Sequence, residues 1–337
     1  VATISDVAAL AGVSTATVSR ALNGKSTVDP MLAERVAHAV QQLGYTPNGL
    51  ARSLRRRETA VLALIIADVE NPFFTAIARG VEDTAQAAGF SVMLCNSDEN
   101  PAKERRYVEV AAQERLAGVI LSPTPGSDVE PLLAHRTPIV AVDRRLTSAD
   151  CDAVLVNSRE SAAEAVRHLI AQGYRRIGCV ADPPGVTTAD ARLDGYRDGL
   201  RAARREYAAD LVHRCGFREA GGREAAARLL AAPDPPDALL VSGSPMAAGV
   251  LQVLAELGLR PGRDVGIVSF DEVPWATLIT PALTVLDQPA YAMGQRAARL
   301  LLARIADGGP RPATTTTLTA RLVVRGSSNR RVDFDLP

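Results

Sequence analysis

The hydrophobic pattern of this chain changes character near residue 60. Before it, apolar side chains recur at helical spacing in short segments separated by residues that start and stop helices. Thr3 followed by Asp6 has the form of a capping box opening ISDVAALA, and Gly12 ends that helix with Val13 as an apolar anchor. Ser14 is placed to cap a second helix, Thr15 to Leu22, which Asn23-Gly24 breaks. Asp29-Pro30 then supplies the cap and first position of a third helix running to Leu43, with Gly44 at its end. Two short helices around a tight turn, followed by a third, fit a helix-turn-helix, and they fit any small three-helix bundle as well.

From Val61 onward the pattern switches to short apolar runs alternating with amphipathic stretches. The runs are VLALIIADV (61–69), FSVMLC (90–95), AGVILS (117–122), PIVAVD (138–143), AVLVN (153–157), RIGCVA (176–181), DLVHRC (210–215), DALLVSG (237–243) and VGIVSFD (265–271). Strand and helix in alternation mean parallel sheets covered on both faces, and this many strands exceed one small sheet. The prediction is an all-α head on an α/β core of two doubly wound parallel-sheet subdomains. Ligand is expected at the carboxyl ends of their strands.

Composition narrows the function classes. The chain is 47% hydrophobic and 23% charged, and no apolar stretch approaches the roughly 18 residues that cross a bilayer. The opening VATISDVAAL has neither a basic n-region nor an apolar core, so a cytoplasmic protein without membrane partners is expected. Cys95, Cys151, Cys179 and Cys215 lie far apart with no CxxC, which predicts reduced thiols and no metal. No GxGxxG, Walker A, GxSxG or HExxH occurs, and His38, His135, His168 and His213 show no visible partner. Neither catalysis nor a cofactor is expected.

Charge is unevenly spread. The chain is neutral overall, yet residues 1–57 hold seven basic side chains against three acidic ones, a net +4, which leaves the remainder at −4. A small basic head on a mildly acidic body suits a nucleic-acid reader joined to a separate domain. The segment NGLARSLRRR (48–57) concentrates four of those arginines, and on its own it fits a solvated linker as well as a DNA contact.

TISDVAALAGVSTATVSRALNG, GYTPNGLARSLRRR, ENPFF, ARLDGY and SFDEVPWA, in this order and spacing, resemble the lactose-repressor (LacI/GalR) family of bacterial transcription regulators from Thr3 to about Arg325. The resemblance implies a head at 1–46 and a hinge at 47–58. It also implies a core like a periplasmic sugar-binding protein, here 59–157 with 289–318 and 158–288 with 319–337. In the family pattern Thr15, Ala16 and Arg20 face base edges in the major groove, with Ser14, Thr17 and Ser19 on phosphates and Thr3, Asn23 and Lys25 also among the DNA-binding residues. The hinge becomes a short helix on the operator. Leu54 then wedges into the minor groove, flanked by Asn48, Ala51, Arg52, Arg55 and Arg56.

For the core, the resemblance places Phe73, Phe74, Asp143, Thr188, Arg192, Phe217, Ser244 and Asp271 around a small effector, with a sugar or sugar phosphate as the expected class. A guanidinium fork and a carboxylate that accepts from two hydroxyls suit a polyol. Two positions depart from familiar patterns. Gly243-Ser244 stands where the family commonly has Asn-Asp, leaving room expected at that side, and Val186 stands where purine-responsive members carry arginine. The expectation is a homodimeric repressor on a pseudo-palindromic operator. The competing reading is a transport or sensor protein sharing only the core fold.

Overall fold

The computed structural model describes residues 2–22, 28–45, 59–309 and 311–330, which fall into two compact units, 1–59 and 60–337. The first unit holds α1 (Ile4–Ala11), α2 (Thr15–Leu22) and α3 (Pro30–Leu43). Thr3 accepts from the Asp6 N–H while Asp6 Oδ2 accepts from the Thr3 N–H at 2.8 Å, the reciprocal cap that its sequence predicts. Gly12 takes a left-handed φ of 62°, and a Cβ there would lie 2.6 Å from Arg35 Nη2, whose partner is the Ala11 carbonyl. Ser14 Oγ accepts from the Thr17 N–H at 3.1 Å, and Asp29 caps α3 through the Met31 N–H. Val7, Ala8, Ala11, Val18, Val36 and Ala39 close over one another as the head's small core.

The second unit contains two six-stranded sheets of one topology. Its strands are β1 (Val61–Ile66), β2 (Ser91–Asn96), β3 (Gly118–Leu121), β4 (Ile139–Val142), β5 (Asp152–Val156), β6 (Ile177–Ala181), β7 (Val212–Arg214), β8 (Ala238–Val241), β9 (Gly266–Phe270), β10 (Thr284–Asp287), β11 (Thr315–Leu318) and β12 (Arg321–Val323). The orders are β11-β5-β4-β3-β1-β2 and β12-β10-β9-β8-β6-β7, with every pairing parallel except β10 with β12. The chain leaves the first sheet after β5, returns after β10 to the helix Ala290–Asp307, and leaves again between β11 and β12.

All nine apolar runs form strands; seven strands are shorter than their runs, while β2 and β5 keep the length of theirs and are shifted by one residue. The last three strands were not foreseen. β11 reads TTTL and alternates exposed with half-buried at a sheet edge, so it never needed the apolar run that marks a central strand. β10 and β12 are only four and three residues long.

Close helix contacts also needed the structure. A Cβ on Gly80 would sit 2.1 Å from the Tyr291 carbonyl oxygen, and one on Gly294 would sit 2.1 Å from that of Ile77. These two glycines let the helices Pro72–Ala87 and Ala290–Asp307 touch backbone to backbone. Three histidines have partners the sequence did not reveal: His168 with Ser328 Oγ at 2.7 Å, His135 with the Pro131 carbonyl at 2.9 Å, and His213 with Glu224 at 3.8 Å. The four cysteines are free. Burial pushes Cys95 and Cys151 up to about 11 and Cys179 and Cys215 up to about 12, so these thiols are poor nucleophiles.

Candidate DNA-binding head and effector cleft

On α2 the only buried side chain is Val18, which pins the helix to the head's core. The face turned to solvent carries Ser14, Thr15, Ala16 and Arg20, with Thr17 and Ser19 half-buried beside it. Ser14 Oγ and Thr17 Oγ1 lie 2.9 Å apart, and Thr3 donates its hydroxyl to Asp6, so these three hydroxyls also serve the free head's own caps. Asn23, Lys25, Asn48, Ala51, Arg52, Leu54, Arg55 and Arg56 lie outside the described residues.

In the core, the carboxyl ends of the two sheets face one cleft. Phe73, Phe74, Asp143, Thr188, Arg192, Phe217 and Asp271 all line it. Ser244 does not. It is 1% exposed, and its N–H and hydroxyl point to Asp271 Oδ2 at 3.4 and 3.5 Å, so it braces a wall residue. The room expected beside Gly243-Ser244 is taken by Pro245 and Met246, which line that side.

The cleft has an approximate internal symmetry. Asp143 follows β4 and Asp271 follows β9, strands in equivalent places in the two sheets, and each aspartate is left-handed, with φ of 67° and 72°. Each N–H donates to the neighbouring strand, Asp143 to the Val154 carbonyl at 2.9 Å and Asp271 to that of Leu286 at 3.1 Å. A second matched pair, Asp68 and Asp182, follows β1 and β6 as the repeated dipeptide Ala67-Asp68 and Ala181-Asp182. Strained aspartates at paired strand ends belong to positions where side-chain direction matters more than backbone comfort.

Sequence reading missed Asp68, Asn71, Glu99, Arg144 and Asp182, all on the cleft wall. Arg144 is held by Glu99 through two hydrogen bonds of 2.8 and 2.6 Å, and its guanidinium lies 5.4 Å from the centre of the Phe217 ring, across the cleft. Arg192 donates to the Ser242 carbonyl at 2.6 Å, approaches Asp182 at 3.5 Å, and stacks 4.2 Å from the Phe270 ring centre. Gln288 donates to Asp271 Oδ1 at 2.6 Å, while Asn71 caps its helix by accepting from the Phe73 N–H.

Burial dominates the protonation of these groups. It pushes Asp182 up to about 6 against the pull of Arg192 and Arg144, and it raises Asp143 against the pull of Arg144. Burial also works against the Arg144 charge, but the hydrogen-bonded Glu99 outweighs it and holds the guanidinium protonated. Five carboxylates and two guanidinium groups therefore line the cleft, alongside three phenylalanines. Such a set can accept from and donate to hydroxyls, and it disfavours an added negative charge.

An exposed recognition helix in one unit and a polar cleft between twinned α/β subdomains in the other define a ligand-responsive DNA-binding protein. Residues 3–48 match the family model of bacterial regulatory proteins of the lacI family, and residues 166–328 match that of periplasmic binding protein-like domains. The chain is 35% identical over 325 residues to the ribose operon repressor of Halalkalibacterium halodurans, covering 96% of each chain. It is 32% identical over 329 residues to the HTH-type transcriptional repressor PurR of Mannheimia succiniciproducens, covering 97% and 98%. Among solved structures, the transcriptional regulator CelR in complex with cellobiose superposes with a TM-score of 0.74 at 31% identity, covering 97% of this chain and all of that one. The chain belongs to the lacI family of bacterial regulatory proteins. It is a transcriptional regulator with a helix-turn-helix DNA-binding head and a sugar-binding type of effector domain. Among the described residues, no helix is long and apolar enough to cross a membrane.

Proposed function

We propose that this protein is a cytoplasmic homodimeric repressor that binds a pseudo-palindromic operator and changes its DNA affinity when a sugar occupies the core cleft. Thr15, Ala16 and Arg20 read base edges, Ser14, Thr17 and Ser19 lie near phosphates, and residues 47–58 form the hinge with Leu54 as the minor-groove wedge. Phe73, Phe74, Asp143, Thr188, Arg192, Phe217 and Asp271 bind the effector, and Ser244 supports Asp271.

The observation that carries the effector reading is the wall itself: matched aspartates, two guanidinium groups and three aromatic rings converge on one space at paired strand ends. Carboxylates accept from sugar hydroxyls, guanidinium groups donate to ring and hydroxyl oxygens, and aromatic rings cover the apolar face. With five carboxylates against two arginines, the sugar ring enters this cleft uncharged. The H. halodurans relative named for a ribose operon and the CelR neighbour solved with cellobiose support a sugar as the class.

Calorimetry of the full chain with ribose, cellobiose and hypoxanthine tests this, together with operator titrations in the presence and absence of each compound. Binding of a sugar should be abolished in Asp271→Asn, with operator affinity of the free variant nearly unchanged. Binding of hypoxanthine alone would overturn the sugar reading and the weight placed on Val186.

A further inference from the structure

Beside the effector cleft lies a second pocket with the opposite chemistry. The loop after β3 supplies Thr124 and Ser127, the loop after β4 supplies Arg144, Arg145 and Thr147, and the start of the helix Thr187–Ala202 supplies Thr187. Among the described residues no carboxylate lines it, whereas five line the neighbouring cleft. Arg144 belongs to both walls, so the two spaces adjoin.

Three independent features favour an anion here. First, the helix Thr187–Ala202 has four turns of backbone dipole behind its N-terminus, and its N-cap residue, Val186, has no side chain able to satisfy the first-turn amides. Second, Thr124 and Ser127 are 3% and 6% exposed, and neither hydroxyl has a hydrogen-bond partner among the described residues. Buried hydroxyls left unpaired are costly, and both stand on the pocket wall. Third, the guanidinium of Arg145 is exposed, with the Thr315 hydroxyl as its neighbour at 3.2 Å. The nearest acids are engaged elsewhere: Glu104 holds the Thr124 N–H at 2.7 Å, and Asp190 holds the Gly185 N–H and Arg214.

We propose that this side pocket is an anion subsite that takes a phosphoryl group, either carried by the effector or bound beside it as free phosphate. Arg145, the Thr124, Ser127 and Thr187 hydroxyls, and the helix N-terminus supply the donors. The pocket also joins the subdomains, since the Arg145 N–H reaches Thr187 Oγ1 at 3.3 Å, so an anion there favours the closed cleft. Only the arm with an attached phosphoryl rests on the sugar reading above.

The test is calorimetry of the full chain with inorganic phosphate, ribose and ribose 5-phosphate, repeated on Arg145→Met, Arg145→Lys and Ser127→Ala. A gain of about tenfold for ribose 5-phosphate over ribose, lost in Arg145→Met and largely kept in Arg145→Lys, establishes the subsite with the phosphoryl on the effector. Inorganic phosphate binding alone with the same variant pattern establishes it as a free-anion site. If no ribose compound binds but phosphate binding responds to Arg145, the pocket stands and ribose is removed as effector. The proposal falls if inorganic phosphate does not bind and the phosphorylated sugar gains nothing over its parent. It also falls if Arg145→Met leaves either kind of binding unchanged.

Discussion

Arg218 crosses the mouth of the cleft, holding its Nε 3.4 Å from Asp68 Oδ2 on the opposite subdomain. The same guanidinium lies 3.6 Å from Glu70 and hydrogen-bonds Asp98. One half-exposed cation thus ties three carboxylates from the ends of β1 and β2 to the loop that carries Phe217. Each contact alone is worth little at an exposed site, but the three act on a single hinge coordinate.

Arg218→Ala should therefore populate the open core in the absence of effector. Small-angle scattering should show a larger radius of gyration for the variant at low salt, and the difference should shrink as salt rises. Identical scattering at every salt concentration would mean that packing, rather than this cluster, sets closure.

Asp182 sets a pH dependence whose sign follows from its shift. Its carboxyl is pushed up to about 6 in the folded chain against a usual 3.8, so its favourable contribution is full below about pH 4 and lost as pH rises through 6. The wild type should lose stability relative to Asp182→Asn over that window, by at most about 3 kcal/mol. Paired thermal melts at pH 4, 6 and 7.5 measure the slope, and parallel curves would show that Asp182 titrates normally.

For the head, Arg20→Ala should cost about 1–3 kcal/mol in operator binding and relax one base position in each half-site. Arg56→Ala should instead weaken all sequences alike and flatten the salt dependence. Binding selections from randomised half-sites separate the two. An unchanged base preference in Arg20→Ala would mean that α2 docks in another register.

Leu54→Ala should weaken specific binding far more than non-specific binding. A wedge gains only where the central step unstacks cheaply, so a pyrimidine-purine step is expected at the operator centre. Titrations on operator and random DNA at one salt concentration check this, and equal losses on both would remove the wedge role.

Ser14→Ala should destabilise the head by about 1 kcal/mol through loss of the cap on α2. Circular-dichroism melts of the full chain, read at the head's own transition, would register it.

Much of the fold is written in local signals. α1 and α3 begin and end, and α2 begins, where a cap residue stands, because Thr3, Ser14, Asp29, Gly12 and Gly44 act through bonds to residues no more than five positions away. The central strands are legible because burial on both faces demands continuous apolar runs. The edge strands β11 and β12 are not, since an edge strand is defined by the partner it pairs with, and β10, though interior, offers only four residues, TVLD, to read. In the cleft, the strand-end aspartates and the helix-borne Arg192 stand out as charged groups beside apolar runs. Glu99 and Arg144 do not, because a charge next to a turn reads as solvated until its partner 45 residues away is in place.

The sequence by itself determined the class of the protein. The capping pattern, the change of hydrophobic period near residue 60 and the uneven charge mark a basic three-helix head and a twinned α/β core, and the ordered motifs that resemble the lacI family make the head a DNA reader; all of these are legible along the chain. Only the tertiary structure decided the electrostatics of the cleft. Folding brings residues from both halves into one low-dielectric space, where Asp68 and Asp182 become a pair, Arg144 meets Phe217, and burial sets Asp182 near 6. It also decided that Ser244 stands behind Asp271 and that Met246 occupies the room expected there. Side-chain direction, and the Coulomb energy between groups far apart in sequence, exist only once the chain has closed on itself.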